Sequence, residues 1–130
     1  GITLERMFLN WQEVTEMAEA GITFANHGHT HQALSEINET AISDEIENSQ
    51  QIIRAHCPSS LATAFCYPGG YYSSKTQKVL AEKGIEFALT TNRSHNLEAR
   101  PKLLGRIGIH QDISRTIPLF DCRLWLDGLF

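Results

Sequence analysis

Three of the six histidines lie within five residues, at His27, His29 and His31. The apolar run at 21–25 precedes them and is short enough to form a buried strand. His27 and His31 have three residues between them, so one turn of the chain can aim both rings at one point. Since neutral imidazole is a common ligand of zinc, the cluster favours a metal site at a strand end. The alternative is a polar loop with solvated or capping histidines, and spacing alone leaves open which rings bind.

A zinc peptidase is the nearest mechanistic alternative, and the sequence disfavours it. Its H-E-x-x-H motif places a glutamate base directly after the first ligand, on a helix. Here Gly28 follows His27, so the base is missing. Glycine also disfavours the helix that this motif requires.

Composition excludes several classes of protein. The 130 residues, 42% of them hydrophobic, fit one domain or part of one. The formal net charge is −4 and no basic cluster occurs, so nucleic acid is not an expected partner. No apolar run approaches the length of about 18 residues that a membrane-spanning helix needs. The three cysteines lack C-x-x-C spacing, which favours neither a disulfide framework nor a zinc knuckle.

Strands and helices are predicted to alternate along the chain. Short apolar runs predict strands at about 22–25, 62–67, 85–90 and 103–109. Helical spacing and capping residues predict helices at about 11–20, 40–56 and 74–83, with a last one after residue 114. This alternation is typical of βα units on a parallel sheet.

Some side chains are predicted to have structural roles only. Trp11 is interpreted as a core contact of the first helix. Asp44 and Glu45 are interpreted as favouring the positive N-terminal end of the second helix, and His56 the negative end.

Three groups of polar or turn residues follow predicted strands. They occupy 26–34, 67–70 and 109–112. In parallel βα architectures the functional groups lie at the C-terminal ends of the strands. We therefore expect these loops to surround one metal.

Two of these loops resemble the motifs of the polysaccharide deacetylases, carbohydrate esterase family 4, which have the NodB-like fold. Residues 26–34 resemble the S/N-H-x-x-x-H-x-x-L metal motif, and residues 65–72 resemble the F-R/A-x-P-x-G-x-y groove motif. Residues 103–109 resemble a segment often read L-P-R-I. The resemblance covers nearly the whole chain.

The resemblance implies a role for each matching residue. His27 and His31 would bind a divalent metal, with zinc the first choice, and His29 would be the variable residue between them. The Gly69 amide would stabilise an oxyanion, and His110 would be a general acid, with a structural loop role as the alternative. Arg106 would pair with a site carboxylate or form a surface ion pair. The predicted groove residues are Tyr67, with core packing as its alternative, Pro68, Gly70 and Tyr71.

The sequence also departs from the family pattern, and these departures are as informative as the matches. The family motif T-F-D-D-G supplies a catalytic base and a third metal ligand, yet this sequence contains no adjacent aspartates. Cys66 stands where many members carry arginine. We therefore expect residues 1–130 to form a single truncated domain, a partial (β/α) barrel that lacks its first strands. Self-association through the exposed apolar surface would follow.

The predicted function is metal-dependent hydrolysis of N-acetyl groups on a polysaccharide or oligosaccharide. With no aspartate pair, this chain alone is expected to be incomplete as an enzyme. The alternative is a noncatalytic fragment or glycan-binding module that keeps the deacetylase fold. A structural zinc domain is disfavoured because only two ligands match well.

Overall fold

The structure is a computed structural model that describes residues 8–57, 63–96, 98, 100–109 and 115–126. It is a mixed α/β structure. The described helices are α1 (Trp11–Glu19), α2 (Glu39–His56), α3 (Ser74–Glu82) and α4 (Ile117–Leu126), and a short 3-10 helix spans Pro68–Gly70. The strands are β1 (Ala64–Cys66) and β2 (Phe87–Leu89). Among these elements, no helix has both the length and the apolar character needed to cross a bilayer.

Polar caps define where the first three helices begin. Asn10 accepts the backbone N–H of Glu13, whose carboxylate accepts the N–H of Asn10, both at 2.8 Å. This reciprocal capping box confirms the predicted start of α1. Asn38 and Ser73 cap α2 and α3 in the same way, by accepting a backbone N–H from the first turn.

The sheet is parallel, and four segments of the chain lie side by side in it. β1 pairs with β2, with Phe65 opposite Ala88. Asn26 forms a parallel bridge to Phe65 on one side, and Leu104 forms one to Leu89 on the other. The segments therefore lie in the sheet in the order in which they follow along the chain.

Two of the four predicted strands do not form, so these two predictions are wrong. The segments at 22–25 and 103–109 join the sheet through single bridges, at Asn26 and Leu104. Gly105 explains the second case, because its N–H and carbonyl bond to the side chain of Asn96 instead of a neighbouring strand. In the first case Ile22 is exposed and the pairing to β1 begins only at Asn26.

The core lies between the sheet and the pair of helices α2 and α3. Ile42 and Ile46 of α2, and Val79 and Leu80 of α3, face it. Leu34, which follows the histidine cluster, is fully buried there and anchors the connection to α2. The core cluster consists of Leu34, Ile42, Ile46, Phe65, Tyr67, Val79, Leu80, Ile85 and Ala88.

The first helix departs from expectation. No residue of α1 is buried, and the prediction that Trp11 is a core contact is wrong. The Trp11 indole lies flat on the His56 imidazole, with ring centroids 4.1 Å apart and an interplanar angle of 9°. The stack covers only one face of the indole, so Trp11 remains 48% exposed. His56 does lie in the last turn of α2, but its ring packs on Trp11.

Candidate functional site

The histidine loop begins at a buried asparagine that joins the sheet to α2. The backbone of Asn26 bonds to β1 through both its N–H and its carbonyl. Its side-chain Nδ2 donates to the Ile46 carbonyl at 3.1 Å. Its Oδ1 accepts the Gly28 N–H at 2.8 Å and the Ser49 hydroxyl at 2.7 Å. These three hydrogen bonds of one buried amide fix the start of the loop against the helix.

A buried carboxylate organises the next part of the loop. Glu45 Oε2 accepts the backbone N–H groups of His29 (2.9 Å) and Thr30 (2.8 Å), and Oε1 accepts the Thr30 hydroxyl (2.6 Å). Burial by itself would raise the pKa of Glu45. The hydrogen bonds from Thr30 and His29 outweigh it, so the pKa lies below that of an ordinary glutamate. The loop is thus folded around an ionised side chain.

A glycine lets the loop pass close to both its neighbours. Gly28 has a φ of +87°, in the left-handed region. A Cβ at this position would lie 3.3 Å from Glu45 Oε2 and 3.6 Å from Pro68 Cγ. The two loops that the sequence singled out are therefore in contact.

His27 and His31, the predicted metal ligands, lie together. Their ring centroids are 4.9 Å apart and the rings meet edge to face, at 77°. Both side chains are exposed. His31 has a φ of +63°, which is uncommon for a residue with a side chain and requires support from its surroundings. His29 instead lines the space between the loop and α2.

The Cys66 carbonyl determines which nitrogen of His27 is available. His27 Nδ1 lies 2.7 Å from that oxygen. A carbonyl only accepts, so Nδ1 carries the proton and Nε2 keeps its lone pair. Histidines that bind metals commonly make such a bond with their other ring nitrogen. The residues therefore fit a metal, but within the described parts of the chain no set of three His, Cys, Asp or Glu side chains converges on one point.

Tyr67 lies in the core. Its ring is fully buried and meets Phe65 edge to face, and its hydroxyl donates to the Lys102 carbonyl at 3.0 Å. Burial, together with the neighbouring phenol of Tyr72, raises the pKa of Tyr67. This position corrects the predicted sugar-facing role and matches the core-packing alternative.

The remaining groove residues form a tight turn. Pro68 is buried, whereas Tyr71 is 62% exposed and presents an aromatic ring to solvent. Gly69 and Gly70 have φ of +63° and +79°. An added Cβ would lie 2.7 Å from the Tyr71 ring at Gly69 and 2.1 Å from Thr91 Oγ1 at Gly70. Only glycine fits both positions without displacing these side chains.

The remaining predicted residues are His110 and Arg106. His110 lies outside the described residues. Arg106 donates its Nε–H to the Thr90 carbonyl at 2.8 Å, so this bond holds the end of β2 and does not reach a carboxylate.

The sequence interpretation missed the residues of α2 that position the loop. Glu45 was assigned to the helix dipole, and Ser49 had no assigned role. A signal was present, because both fall on the same helical stripe as Ile42 and Ile46. Polar residues on an apolar stripe are expected to have buried partners.

Comparison with known proteins identifies the class. The chain matches the family profile described as polysaccharide deacetylase over residues 3–88, and it therefore belongs to the polysaccharide deacetylase family. Members of this family are hydrolases that act on acetylated glycans. Comparison with curated protein sequences found no match.

Three solved structures show the same fold. The Streptococcus pyogenes deacetylase PplD in complex with acetate is 22% identical, with a TM-score of 0.73, over 85% of this chain and 49% of PplD. The BpsB deacetylase domain from Bordetella bronchiseptica is 19% identical (TM-score 0.69; 82% and 53%). IcaB from Ammonifex degensii is 17% identical (0.71; 93% and 54%). The chain thus spans about half the length of each.

Replacing Glu45 tests whether its carboxylate holds the loop. Glu45→Ala leaves two partly buried N–H groups without their acceptor. We therefore expect a loss of about 1.5–3 kcal/mol in unfolding free energy at neutral pH. The pKa of Glu45 is lower in the folded chain than in the unfolded chain. The contribution of its carboxylate to the free energy of unfolding is therefore complete at pH values above the unfolded pKa. It disappears as the pH falls through the folded pKa. Urea unfolding at a series of pH values measures the difference.

Asp44→Ala is the matched control, because it removes the same charge from an exposed neighbour on α2. We expect it to change the free energy of unfolding by less than about 0.5 kcal/mol. Equal effects of the two substitutions, or a Glu45 contribution that grows at low pH, would contradict the assignment.

Proposed function

We propose that this chain carries the histidine pair and the oxyanion donor of a metal-dependent deacetylase acting on an N-acetylated polysaccharide or oligosaccharide. The observation that supports it most is the pairing of His27 with His31, with the proton of His27 fixed on Nδ1 by the Cys66 carbonyl. Family membership supports the substrate class.

The proposed ligands are His27, through Nε2, and His31, with zinc as the preferred divalent metal. A bound zinc ion would supply Lewis acidity, which polarises an N-acetyl carbonyl and acidifies a bound water. Both imidazoles are neutral ligands, so they leave the charge of the cation at the site. Asn26 and Glu45 hold the loop that presents these rings.

Gly69 is the proposed oxyanion donor. Its N–H lies in the first turn of the 3-10 helix, where backbone N–H groups have no partner within the helix. Such an N–H can stabilise charge that develops on a carbonyl oxygen. The exposed ring of Tyr71 would contact a sugar, while Pro68 and Gly70 shape the turn. PplD was solved with acetate, the product that this reaction releases.

Zinc binding tests the ligand assignment. His27→Ala and His31→Ala should each weaken zinc affinity by at least about tenfold, because each removes one of two ligands. His29→Ala, in the same loop, is the matched control and should leave the affinity unchanged. Calorimetric titration of the chain with zinc measures all three. Equal losses at His29, or no binding by the unsubstituted chain, would refute the assignment.

Acetate release tests catalytic capacity. We expect release close to background from N-acetylglucosamine oligomers with added zinc. Two imidazoles leave zinc short of a third protein ligand, and no aspartate pair supplies a base, which typically contributes about 10²–10⁴-fold. His110 remains the predicted general acid.

Rapid release that His27→Ala abolishes would show that another carboxylate, such as Asp112, acts as the base. Binding of the oligomers without release would instead favour the second candidate function, a noncatalytic glycan-binding module. The observation favouring it is that, in the part of the chain that the structure describes, no third His, Cys, Asp or Glu side chain joins His27 and His31.

The proposed architecture is a partial (β/α) barrel. Along β1 and β2, Phe65 and Ala88 are buried against the helices, whereas Cys66 and Leu89 are partly exposed and Phe87 is 44% exposed. One face of the sheet is thus covered and the other is open. Parallel sheets ordinarily have both faces covered.

Copies of the chain are expected to associate through this open face. Sedimentation velocity at increasing concentration should show a dimer or larger species, and Phe87→Gln should shift it towards monomer. Phe120→Gln, an exposed phenylalanine on α4, is the control. A monomer at every concentration would contradict the expectation.

A further inference from the structure

Two neighbouring depressions run from the candidate metal site along α2. One cavity of about 320 Å³ lies between α1, the histidine loop and α2, and Trp11 and His27 are among the residues that line it. A second cavity of about 510 Å³ follows the exposed side of α2 to His56. The two share His29 and Ile52, so they are neighbours, and together they are here called the α2 groove.

The Trp11–His56 stack contributes one ring to each of the two cavities. Trp11 lines the first cavity and His56 the second. The Thr15 hydroxyl lies 3.2 Å from the His56 carbonyl, a contact that ties α1 to α2 beside the stack. The imidazole packs on one face of the indole and thereby holds the other, exposed face in a fixed position.

We propose that the α2 groove is a glycan subsite, in which the exposed part of Trp11 stacks on a sugar ring. This inference rests on the proposed function for the class of ligand. A sugar presents an apolar C–H face beside its hydroxyl groups. The groove matches this pattern, with Trp11 and Ile52 as apolar surface and the amides of Asn48 and Gln51 as hydrogen-bonding groups.

The charge of the groove selects a neutral ligand. Among the described residues that line it, none is Asp, Glu, Lys or Arg. A phosphate or a charged peptide would find no acidic, lysine or arginine side chain among these lining residues, whereas an N-acetylated sugar needs none. Because His27 lines the near end, an oligosaccharide in the groove would place one of its sugars at the candidate metal site.

Binding of N-acetylglucosamine oligomers tests the proposal. Trp11→Ala should weaken calorimetric affinity by up to about tenfold, the size expected for loss of an aromatic contact. Trp11→Phe, which keeps an aromatic face, should retain most of the affinity. Phe120→Ala removes an exposed aromatic side chain from α4, outside the groove, and should have no effect. Circular dichroism confirms that each variant is folded.

Two additional measurements separate this proposal from the proposed function. Affinity is measured with and without zinc, and zinc affinity is measured for Trp11→Ala. Trp11-dependent binding that persists without zinc supports the groove even if the metal assignment fails. Equal affinities of Trp11→Ala and the unsubstituted chain, affinity for the monosaccharide equal to that for oligomers, or absence of oligomer binding would each overturn it.

Discussion

The carboxylate of Glu45 is the interaction on which the histidine loop depends. It satisfies two backbone N–H groups and a hydroxyl at once, from a position that is 7% exposed. Without it, the loop would contain partly buried donors with no acceptor, a cost that a short irregular segment has few contacts to offset. The same helix contributes Ile42 and Ile46 to the core. α2 therefore acts both as a packing element and as the template for the loop.

The geometry of the site comes from residues that would not themselves bind a metal. Asn26 joins β1, α2 and the loop through one buried amide, and the Cys66 carbonyl sets the protonation of His27. A loop of exposed histidines would otherwise sample many orientations. Because buried neighbours already fix their orientation, less conformational entropy is lost when a ligand binds.

The sequence predicted the helices well because their signals are local. The Asn10 cap and the α2 stripe depend only on neighbouring residues. Strand pairing depends on distant segments, so 22–25 and 103–109 proved to make only single bridges. The two aromatic assignments exchanged places, with Tyr67 in the core and Trp11 at the surface. Hydropathy indicates that an aromatic ring will pack against other residues, but the tertiary arrangement determines which residues it contacts. The pairing of His27 with His31 was predictable because it needs only one turn of chain.

The contact from Cys66 to His27 involves the main chain, and this separates two properties that are often linked. Every residue type has the same carbonyl, and pairing with β2 holds this one in place. The side chain at position 66 therefore varies without changing the tautomer of His27. The resemblance drawn from the sequence places arginine at this position in many relatives, and such an exchange alters charge near the site while the imidazole keeps its lone pair. Electrostatic tuning and ligand orientation are thus independent variables in this fold.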